Sequence, residues 1–289
     1  MAALRCMVAW FGMLACANSL SAQSLENPLG VVGQANKPGA LIVCGGGKLP
    51  EEVYDEFVRL AGGKDAHLVH IPWAHPFSSM SSVRYSYHGW SGMDVASFAF
   101  LNINARSEAD LDTLIKPLET ATGVWIGGGS QGRLADLYGN TKVEAALQRL
   151  LARGGVIGGT SAGASIMSTT MIRSGTASEA VTDRGLCLVK HAVIDQHFSQ
   201  RHRLERLLNI VEESQLHVGI GVDEGAALVL QGNRLRAIGD SKVTICVPGG
   251  RGNDVTLHRL RGGDNATLVA GTHSATNRLG WELRRQATK

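Results

Sequence analysis

The segment that most constrains the fold is residues 156–167, Val-Ile-Gly-Gly-Thr-Ser-Ala-Gly-Ala-Ser-Ile-Met. A short apolar run enters a cluster of small residues and continues into a second small and apolar run, which predicts a strand, a sharp turn and a helix. Gly159 and Gly163 leave room at the turn because they have no side chain. Ser161 is therefore the candidate nucleophile, and the N–H of Ala162 is a candidate oxyanion donor at the helix start.

Taken alone, G-x-S-x-G is a weak signal, because the chain contains 36 Gly in 289 residues and the pattern arises easily by chance. Its context is stronger. Short apolar runs alternate with segments of helical periodicity, at residues 40–44, 50–60, 67–71, 107–118, 124–126 and 141–153. This alternation predicts an α/β layer fold with a mainly parallel sheet, whose sites lie beyond the carboxyl ends of the strands.

Three glycines, residues 45–47, follow the first predicted strand. They could cradle a phosphate, but neither G-x-G-x-x-G nor G-K-[ST] is present, so a close-packed turn is favoured. Two further glycine corners, at residues 127–129 and 158–163, are expected to open on one edge of the sheet. The loop at residues 73–90, rich in Ser, His and Tyr, is either a lid or substrate wall or a solvated connector.

Length and composition favour one large domain. A chain of this length with 44% hydrophobic residues can bury a sizeable core. We expect a catalytic domain over residues 38–289, of which about residues 226–289 form an antiparallel β extension. The net charge of +3 indicates no basic surface for nucleic acid.

Residues 1–22 have the features of a secretory signal peptide. They carry one charge, at Arg5, an apolar run over residues 7–17, and small residues after it. The run is too short to span a bilayer. We therefore expect a secreted or periplasmic protein without a membrane span.

A polar linker at residues 23–37 follows the predicted leader. Cleavage fits after Ala17 or Ala22, and lipid attachment at Cys16 is a less favoured alternative. The sequence does not determine the oligomeric state, and a homodimer is compatible with it.

Three cysteines remain beyond the leader: Cys44, Cys187 and Cys246. They are far apart, and no C-x-x-C motif or Cys/His cluster occurs, so no metal site is predicted. Buried free thiols are the favoured interpretation, and a single disulfide is the alternative outside the cytoplasm.

An attacking serine needs a general base, and the base needs an orienting group. Among the ten histidines, His197 follows a short apolar run that ends in polar residues, which places it at the same edge as Ser161. The next apolar run, residues 218–222, ends at Asp223 and Glu224. Either carboxylate could orient His197, and capping of a turn is the alternative for Asp223.

Residues 201–213 carry apolar side chains at helical spacing. Arg201, Arg203 and Arg206 begin this segment. They are either a solvated stripe or a cluster that binds carboxylates through bidentate guanidinium groups. Spacing alone does not decide between the two.

Three ordered motifs resemble cyanophycinase and related serine peptidases of the aspartyl dipeptidase group. They are Gly-Gly-Thr-Ser-Ala-Gly-Ala at 158–164, Ile-Asp-Gln-His-Phe at 194–198 and Gly-Ile-Gly-Val-Asp-Glu at 219–224. The resemblance covers roughly residues 38–248. It implies a class I glutamine amidotransferase-like fold, a three-layer sandwich with a mainly parallel central sheet.

The resemblance also implies the chemistry. Ser161 would be the nucleophile, His197 the base and Glu224 the orienting group of an acyl-enzyme mechanism without a metal or organic cofactor. The family's oxyanion donors match the backbone of Gly128 or Gly129 together with Ala162. Its substrate-binding residues match Gln131, Asp195, Gln196, Arg201, Arg203 and Arg206.

The implied substrate is a small peptide or polypeptide with aspartyl linkages, the β-Asp-Arg polymer or isoaspartyl and aspartyl peptides. The chain departs from the family at Ser130, where cyanophycinases usually have Asp, and this leaves substrate identity open. One alternative is an α/β-hydrolase-type esterase, whose chain order Ser, acid, His would make His258 or His273 the base. Another is a secreted binding protein that kept the fold without turnover.

Overall fold

The computed structural model describes residues 27–33, 38–72, 90, 92–176, 178–214, 217–249, 255–273 and 278–286. The predicted leader and nearly all of the loop at residues 73–90 lie outside these ranges. Within them, no helix is both long enough and apolar enough to cross a membrane.

Helices and strands alternate through the first two thirds of the described chain, and strands dominate the last third. The helices are α1 (Glu51–Ala61), α2 (Asp112–Thr120), α3 (Gln131–Tyr138), α4 (Lys142–Ala152), α5 (Ala162–Ser165) and α6 (Leu204–Ser214). The strands up to the second glycine corner are β1 (Ala40–Cys44), β2 (His67–Ile71), β3 (Ser97–Phe100), β4 (Gly123–Ile126) and β5 (Val156–Thr160). The later strands are β6 (Thr170–Ser174), β7 (Val181–Arg184), β8 (Ala192–Gln196), β9 (Val218–Val222), β10 (Ala226–Gln231), β11 (Arg234–Gly239), β12 (Lys242–Pro248), β13 (Val255–Arg261), β14 (Asn265–His273) and β15 (Arg278–Gln286).

The central sheet has nine strands in the order β15-β14-β11-β10-β1-β5-β4-β2-β3. Neighbouring strands are parallel in the half of the sheet formed by β1, β5, β4, β2 and β3. They are antiparallel in the half formed by β10, β11, β14 and β15, and β10 is also antiparallel to β1. A second sheet has the order β13-β12-β9-β8, with β8 and β9 parallel. The chain therefore has a mixed α/β fold with a large central sheet, as the alternating pattern predicted.

Strand β1 lies at the centre because it is apolar on both faces. All five of its residues are buried, as expected for a strand covered on both sides. Leu41 and Val43 face one core cluster, while Ala40, Ile42 and Cys44 face the other. The period of two therefore distributes one short run between two cores.

Helix α1 covers one face of the sheet. Val53, Phe57 and Ala61 recur every four residues and are buried against Trp125 of β4. Full burial of Val53 and Phe57 contributes roughly 1.5–3 kcal/mol each. Gly62, in the left-handed region at φ 117°, ends the helix.

The other face of the central sheet is covered by helices and by the second sheet. Helices α2 and α4 bury Leu118 and Leu147 in the cluster that also contains Leu41. Ile194 and Ile220 of the second sheet join the same cluster. Helix α6 packs on the other face of that second sheet.

The C-terminal β extension divides between the two sheets. Strands β10, β11, β14 and β15 widen the central sheet, whereas β12 and β13 join the second sheet. The described part of the predicted linker also packs on the domain, because Leu29 and Val31 are buried in the main cluster. Their apolar side chains explain why this stretch is attached.

Two local expectations differ from the structure. The helix expected over residues 107–118 is divided into a short 3₁₀ turn, Arg106–Asp110, and the helix α2, which begins at Asp112. The capping box expected between Thr141 and Glu144 is not formed. Glu144 accepts from the N–H of Asn140 at 2.6 Å, one residue before the N-cap, and the Thr141 hydroxyl donates to the carbonyl of Tyr138.

Candidate active site

Ser161 lies in the sharp corner between β5 and α5. Its φ of 54° and ψ of −118° are unusual for a residue with a side chain. A Cβ on Gly163 would lie 2.2 Å from the carbonyl oxygen of Ile126, and one on Gly159 would lie 2.4 Å from that of Gly163. The corner therefore needs glycine at both positions, for the steric reason that the sequence indicated.

His197 reaches Ser161 from the second sheet. It follows β8, and its Nε2 lies 2.9 Å from the Ser161 Oγ. Its backbone φ is 46°, and its N–H donates to the carbonyl of Gly45 at 2.8 Å. That hydrogen bond joins the end of β8 to the end of β1, and so brings the two sheets together at this edge.

Glu224 completes the cluster. Strands β8 and β9 are parallel with Gln196 opposite Val222, so the residues after both strands leave at the same edge. Glu224 Oε1 lies 2.5 Å from His197 Nδ1. Asp223, the other candidate, is buried and accepts from the N–H of Ser199 at 2.9 Å, as its capping alternative requires.

The surroundings of His197 suit a proton acceptor. Burial lowers the pKa of its imidazole, the hydrogen bond that its Nδ1–H donates to Glu224 raises that pKa, and the charges of Arg201 and Arg203 lower it, so the net pKa lies below 6.5. The ring is therefore neutral at pH 7, and a neutral imidazole can accept the proton of a hydroxyl group.

The glycine corner after β4 lies beside this edge, since β4 and β5 are parallel neighbours with Ile126 opposite Gly159. Gly128 is buried, and Gly129 has a φ of 112° that favours glycine. Ala162 is the first residue of α5, where backbone N–H groups lack helical partners. The oxyanion roles of all three residues stay predictions.

Asp195 and Arg206 lie beneath the site as a buried ion pair. Their side chains are 1% and 6% exposed, and Arg206 donates to both oxygens of Asp195 at 2.6 Å. Asp195 also accepts from Arg203 at 3.2 Å and from the N–H of Gln196. In this structure the charged partners of Asp195 are thus Arg206 and Arg203.

The three arginines occupy different environments. Arg203 is 13% exposed and donates to the Gln196 carbonyl at 2.6 Å, so it and Arg206 do not form a solvated stripe. Arg201 is exposed, and its N–H donates to the carbonyl of His197. Arg201 and Arg203 therefore lie on the His197 side of the site.

The predicted glutamines have distinct contacts. Gln196 is buried, and its Oε1 lies 3.4 Å from the Ser161 Oγ. Gln131 donates its amide to the carbonyl groups of Ile172 and Arg173, which attaches the start of α3 to β6. Ser130 caps α3, because its Oγ accepts from the N–H of Arg133.

The chain order of the cluster differs from that of α/β-hydrolases. The imidazole that contacts Ser161 belongs to His197, which precedes the carboxylate, so the order is Ser, His, Glu. His258, a base in the esterase alternative, lies in β13 of the second sheet. The geometry therefore does not support that alternative.

The three cysteines of the described chain are not joined by a disulfide. Cys44 and Cys246 are buried free thiols, as the favoured interpretation expected, whereas Cys187 is free but only partly buried. Burial raises the pKa of the Cys246 thiol to about 12. Among the described residues, no group of three or more His, Cys, Asp or Glu side chains could hold a metal ion.

The sequence did not reveal the role of the glycine turn at residues 45–47. A Cβ on Gly46 would lie 2.4 Å from Cε1 of His197, and one on Gly47 would lie 2.9 Å from Oε2 of Glu224. The favoured interpretation, a close-packed turn, describes these glycines correctly, but nothing in the local sequence names the residues that they contact. Those contacts depend on the meeting of two sheets.

Comparisons with known proteins agree with this geometry. Residues 41–238 match the model of peptidase family S51. The chain is 32% identical over 203 residues to a cyanophycinase of Geminocystis herdmanii, covering 68% of this chain and 74% of that protein. It is 30% identical over 263 residues to a cyanophycinase of Trichormus variabilis, covering 84% and 87%.

A solved structure has the same fold. It is the crystal structure of a peptidase from an acI-B1 Actinobacterium, with a TM-score of 0.65 and 21% sequence identity, covering 81% of this chain and 98% of that one. The family match and the curated relatives assign the chain. It belongs to peptidase family S51 and is a serine-type peptidase.

Proposed function

We propose that this peptidase hydrolyses amide bonds next to aspartyl residues through a Ser161–His197–Glu224 triad. The observation that carries the proposal is the pair of contacts through one imidazole, 2.9 Å to the Ser161 Oγ and 2.5 Å to Glu224 Oε1. A hydroxyl group, a neutral base and a carboxylate in this order are the parts of a serine peptidase nucleophile.

In the proposed reaction, Ser161 Oγ attacks the substrate carbonyl carbon while His197 Nε2 takes the hydroxyl proton. Backbone N–H groups of Ala162 and of Gly128 or Gly129 stabilise the oxyanion, each donor contributing on the order of 3 kcal/mol. His197 then gives its proton to the leaving amine as the C–N bond breaks. Water, deprotonated by the same imidazole, attacks the acyl ester and releases the acid.

The β-Asp-Arg linkage of cyanophycin is the leading substrate. The relatives at about 30% identity are cyanophycinases, and the two arginines nearest His197 supply positive charge for substrate carboxylates. We propose that Gln196, Arg201 and Arg203 contact the substrate. In this proposal Asp195 and Arg206 support them from below, and Gln131 holds the wall formed by β6.

We also propose that the protein acts outside the cytoplasm, after removal of residues 1–22. The charge, apolar run and small residues of that segment support this. N-terminal sequencing of the protein from a periplasmic or culture fraction tests it, and a mature chain that begins at Met1 would contradict it.

The nucleophile is tested by labelling the purified protein with a fluorophosphonate probe, which reacts with activated serines. We expect one label, on Ser161, and none in Ser161→Ala, because the imidazole that contacts Ser161 is itself oriented by the carboxylate of Glu224. Ser174→Ala, an exposed serine on β6, is the matched control and should label like the wild type. Labelling that persists in a folded Ser161→Ala protein would reject the triad.

Substrate choice needs a separate experiment. Cyanophycin, β-aspartyl dipeptides and α-aspartyl dipeptides are incubated with the protein, and products are read by mass spectrometry. We expect release of β-Asp-Arg from cyanophycin by the wild type and none by Ser161→Ala. Cleavage of α-aspartyl dipeptides alone would keep the triad and overturn the proposed substrate.

A further inference from the structure

The end of β1 binds the backbone of the segments that carry the proposed triad. The carbonyl oxygen of Cys44 accepts from the N–H of Ser161 at 3.0 Å. The next carbonyl, of Gly45, accepts from the N–H of His197 at 2.8 Å. Two successive peptide groups of one strand therefore hold the nucleophile and the base at adjacent positions.

The third carbonyl in this series belongs to Gly46. It accepts from the N–H of Gly225 at 3.1 Å, the residue directly after Glu224. The first turn after β1 is thus bonded to all three segments. These segments come from different strands and from two sheets, so the turn is a shared reference for their relative positions.

The turn also lies against the two side chains that activate the serine. A Cβ on Gly46 would lie 2.4 Å from Cε1 and 2.6 Å from Nε2 of His197, distances that real Cβ atoms essentially never show. A Cβ on Gly47 would lie 2.9 Å from Oε2 and 3.0 Å from the Cβ of Glu224. Gly46 is itself buried, so the backbone of this turn covers one side of the imidazole.

We infer that Gly46 and Gly47 are positioning residues of the reaction. Because they have no side chains, the imidazole and the carboxylate can occupy the places in which they contact each other and Ser161. This inference rests on the proposed function, since it requires His197 and Glu224 to act in turnover. It also accounts for a glycine turn whose sequence left two interpretations open.

Gly46→Ala tests the imidazole contact. The new methyl group must displace the ring from Ser161, and a displacement of about 1 Å can lower turnover about 100-fold. We expect fluorophosphonate labelling and kcat to fall at least about 100-fold, with KM nearly unchanged because the substrate contacts remain.

The control for Gly46→Ala is Gly92→Ala. Gly46 and Gly92 have φ values of 104° and 94°, but a Cβ on Gly92 meets nothing within 4 Å. Both variants carry the backbone strain of alanine at positive φ, and only one touches the imidazole. Equal labelling rates in folded Gly46→Ala and Gly92→Ala would overturn the inference.

Gly47→Ala is a second variant, and its new methyl group would meet the flexible carboxylate of Glu224. Because that side chain can move aside, this variant keeps the inference testable if Gly46→Ala does not fold. Glu224 must move, which weakens its bond to Nδ1 of His197. Since that bond raises the His197 pKa against the lowering by burial and by Arg201 and Arg203, the acid limb of kcat/KM should shift to lower pH.

Its control is Gly63→Ala, with φ of 62° against 67° for Gly47 and open space around the new methyl group. An unchanged acid limb in Gly47→Ala overturns the role of Gly47. A wild-type protein that does not label at all would reject the proposed function, and this inference with it. A labelled wild type with unaffected glycine variants rejects the inference alone.

Discussion

At the residue scale, two members of the proposed triad have backbone φ angles that residues other than glycine seldom adopt. Ser161 has a φ of 54° and His197 a φ of 46°. Such conformations cost on the order of 1–3 kcal/mol each and persist where surrounding contacts enforce them. Here the enforcing contacts include hydrogen bonds from both N–H groups to the end of β1.

The wild-type pH profile follows from the neutral imidazole. His197 has a lowered pKa, and only its neutral form accepts the Ser161 proton. Activity should therefore be present above pH 6.5 and be lost as the pH falls through the lowered pKa. Measurement of kcat/KM from pH 4 to 8 checks this, and an acid limb centred above 6.5 would contradict it.

Replacement of Glu224, the proposed orienting carboxylate, should lower turnover strongly. In Glu224→Gln the hydrogen bond that raises the His197 pKa is lost, and an amide N–H can turn toward Nδ1 and favour the wrong tautomer. We expect kcat to fall by about 10³–10⁴-fold with labelling of Ser161 reduced in parallel. Glu213→Gln, an exposed change on α6, is the control, and equal activity of the two variants would remove Glu224 from the mechanism.

At the element scale, the start of α6 is attached to the end of β8 by a buried ion pair. Asp195 is the fourth residue of β8, and Arg206 is on the first turn of α6. The pair joins the strand before His197 to the helix after it. We therefore attribute to it the position of the intervening turn, which carries Arg201 and Arg203.

Removal of one partner from this pair should destabilise the fold. Arg206→Met leaves Asp195 buried with fewer donors, and breaking a buried pair costs about 3–5 kcal/mol. Urea unfolding at pH 7 measures the change. Arg149→Met breaks a half-exposed pair with Glu119 and should cost less than about 1 kcal/mol.

A double substitution gives a second check on this pair. Combining Arg206→Met with Asp195→Asn removes the unpaired charge and should recover part of the stability lost in the single variant. Equal stability of Arg206→Met and Arg149→Met would show that the buried pair has no special weight.

At the scale of the whole molecule, the core contains a buried base as well as apolar side chains. His70 of β2 is 2% exposed and lies among the rings of Trp90, Phe98 and Phe100. Neither of its ring nitrogens has a hydrogen-bond partner among the described residues. Burial lowers its pKa to about 4.

This histidine should limit the stability of the protein in acid. Above pH 6.5 the ring is neutral in both states and has no effect. As the pH falls from 6.5 toward 4, the unfolded chain binds a proton that the folded chain does not, which removes up to about 3 kcal/mol. Urea midpoints at pH 7.5 and 5 measure the loss.

The contribution of His70 is isolated by substitution. His70→Phe should show a smaller loss of stability between pH 7.5 and 5 than the wild type, because no ring at this position is protonated. His67→Gln, an exposed change on the same strand, should retain the wild-type dependence. An unchanged loss in His70→Phe would assign the acid sensitivity to other groups.

Much of the site was predictable because its parts follow strands. Apolar runs that end in polar residues indicated where Ser161, His197 and Glu224 leave the sheet, and the parallel pairing of β8 with β9 confirms that the last two leave at one edge. The partner of Asp195 was not predictable, since spacing does not reveal which of three arginines is buried. The division of the C-terminal strands between two sheets was also missed, because each strand looks alike in isolation.

The sequence by itself determined the alternation of strands and helices, the small residues of the Ser161 corner and the residue types of the proposed triad. These depend on local periodicity and on side-chain size. Only the tertiary structure decided that β1 and β8, from different sheets, meet at Gly45, and that Gly46 and Gly47 lie against the imidazole and the carboxylate. Contacts between sheets depend on how two buried apolar faces pack against each other. Local sequence does not determine which residues of the two sheets then meet.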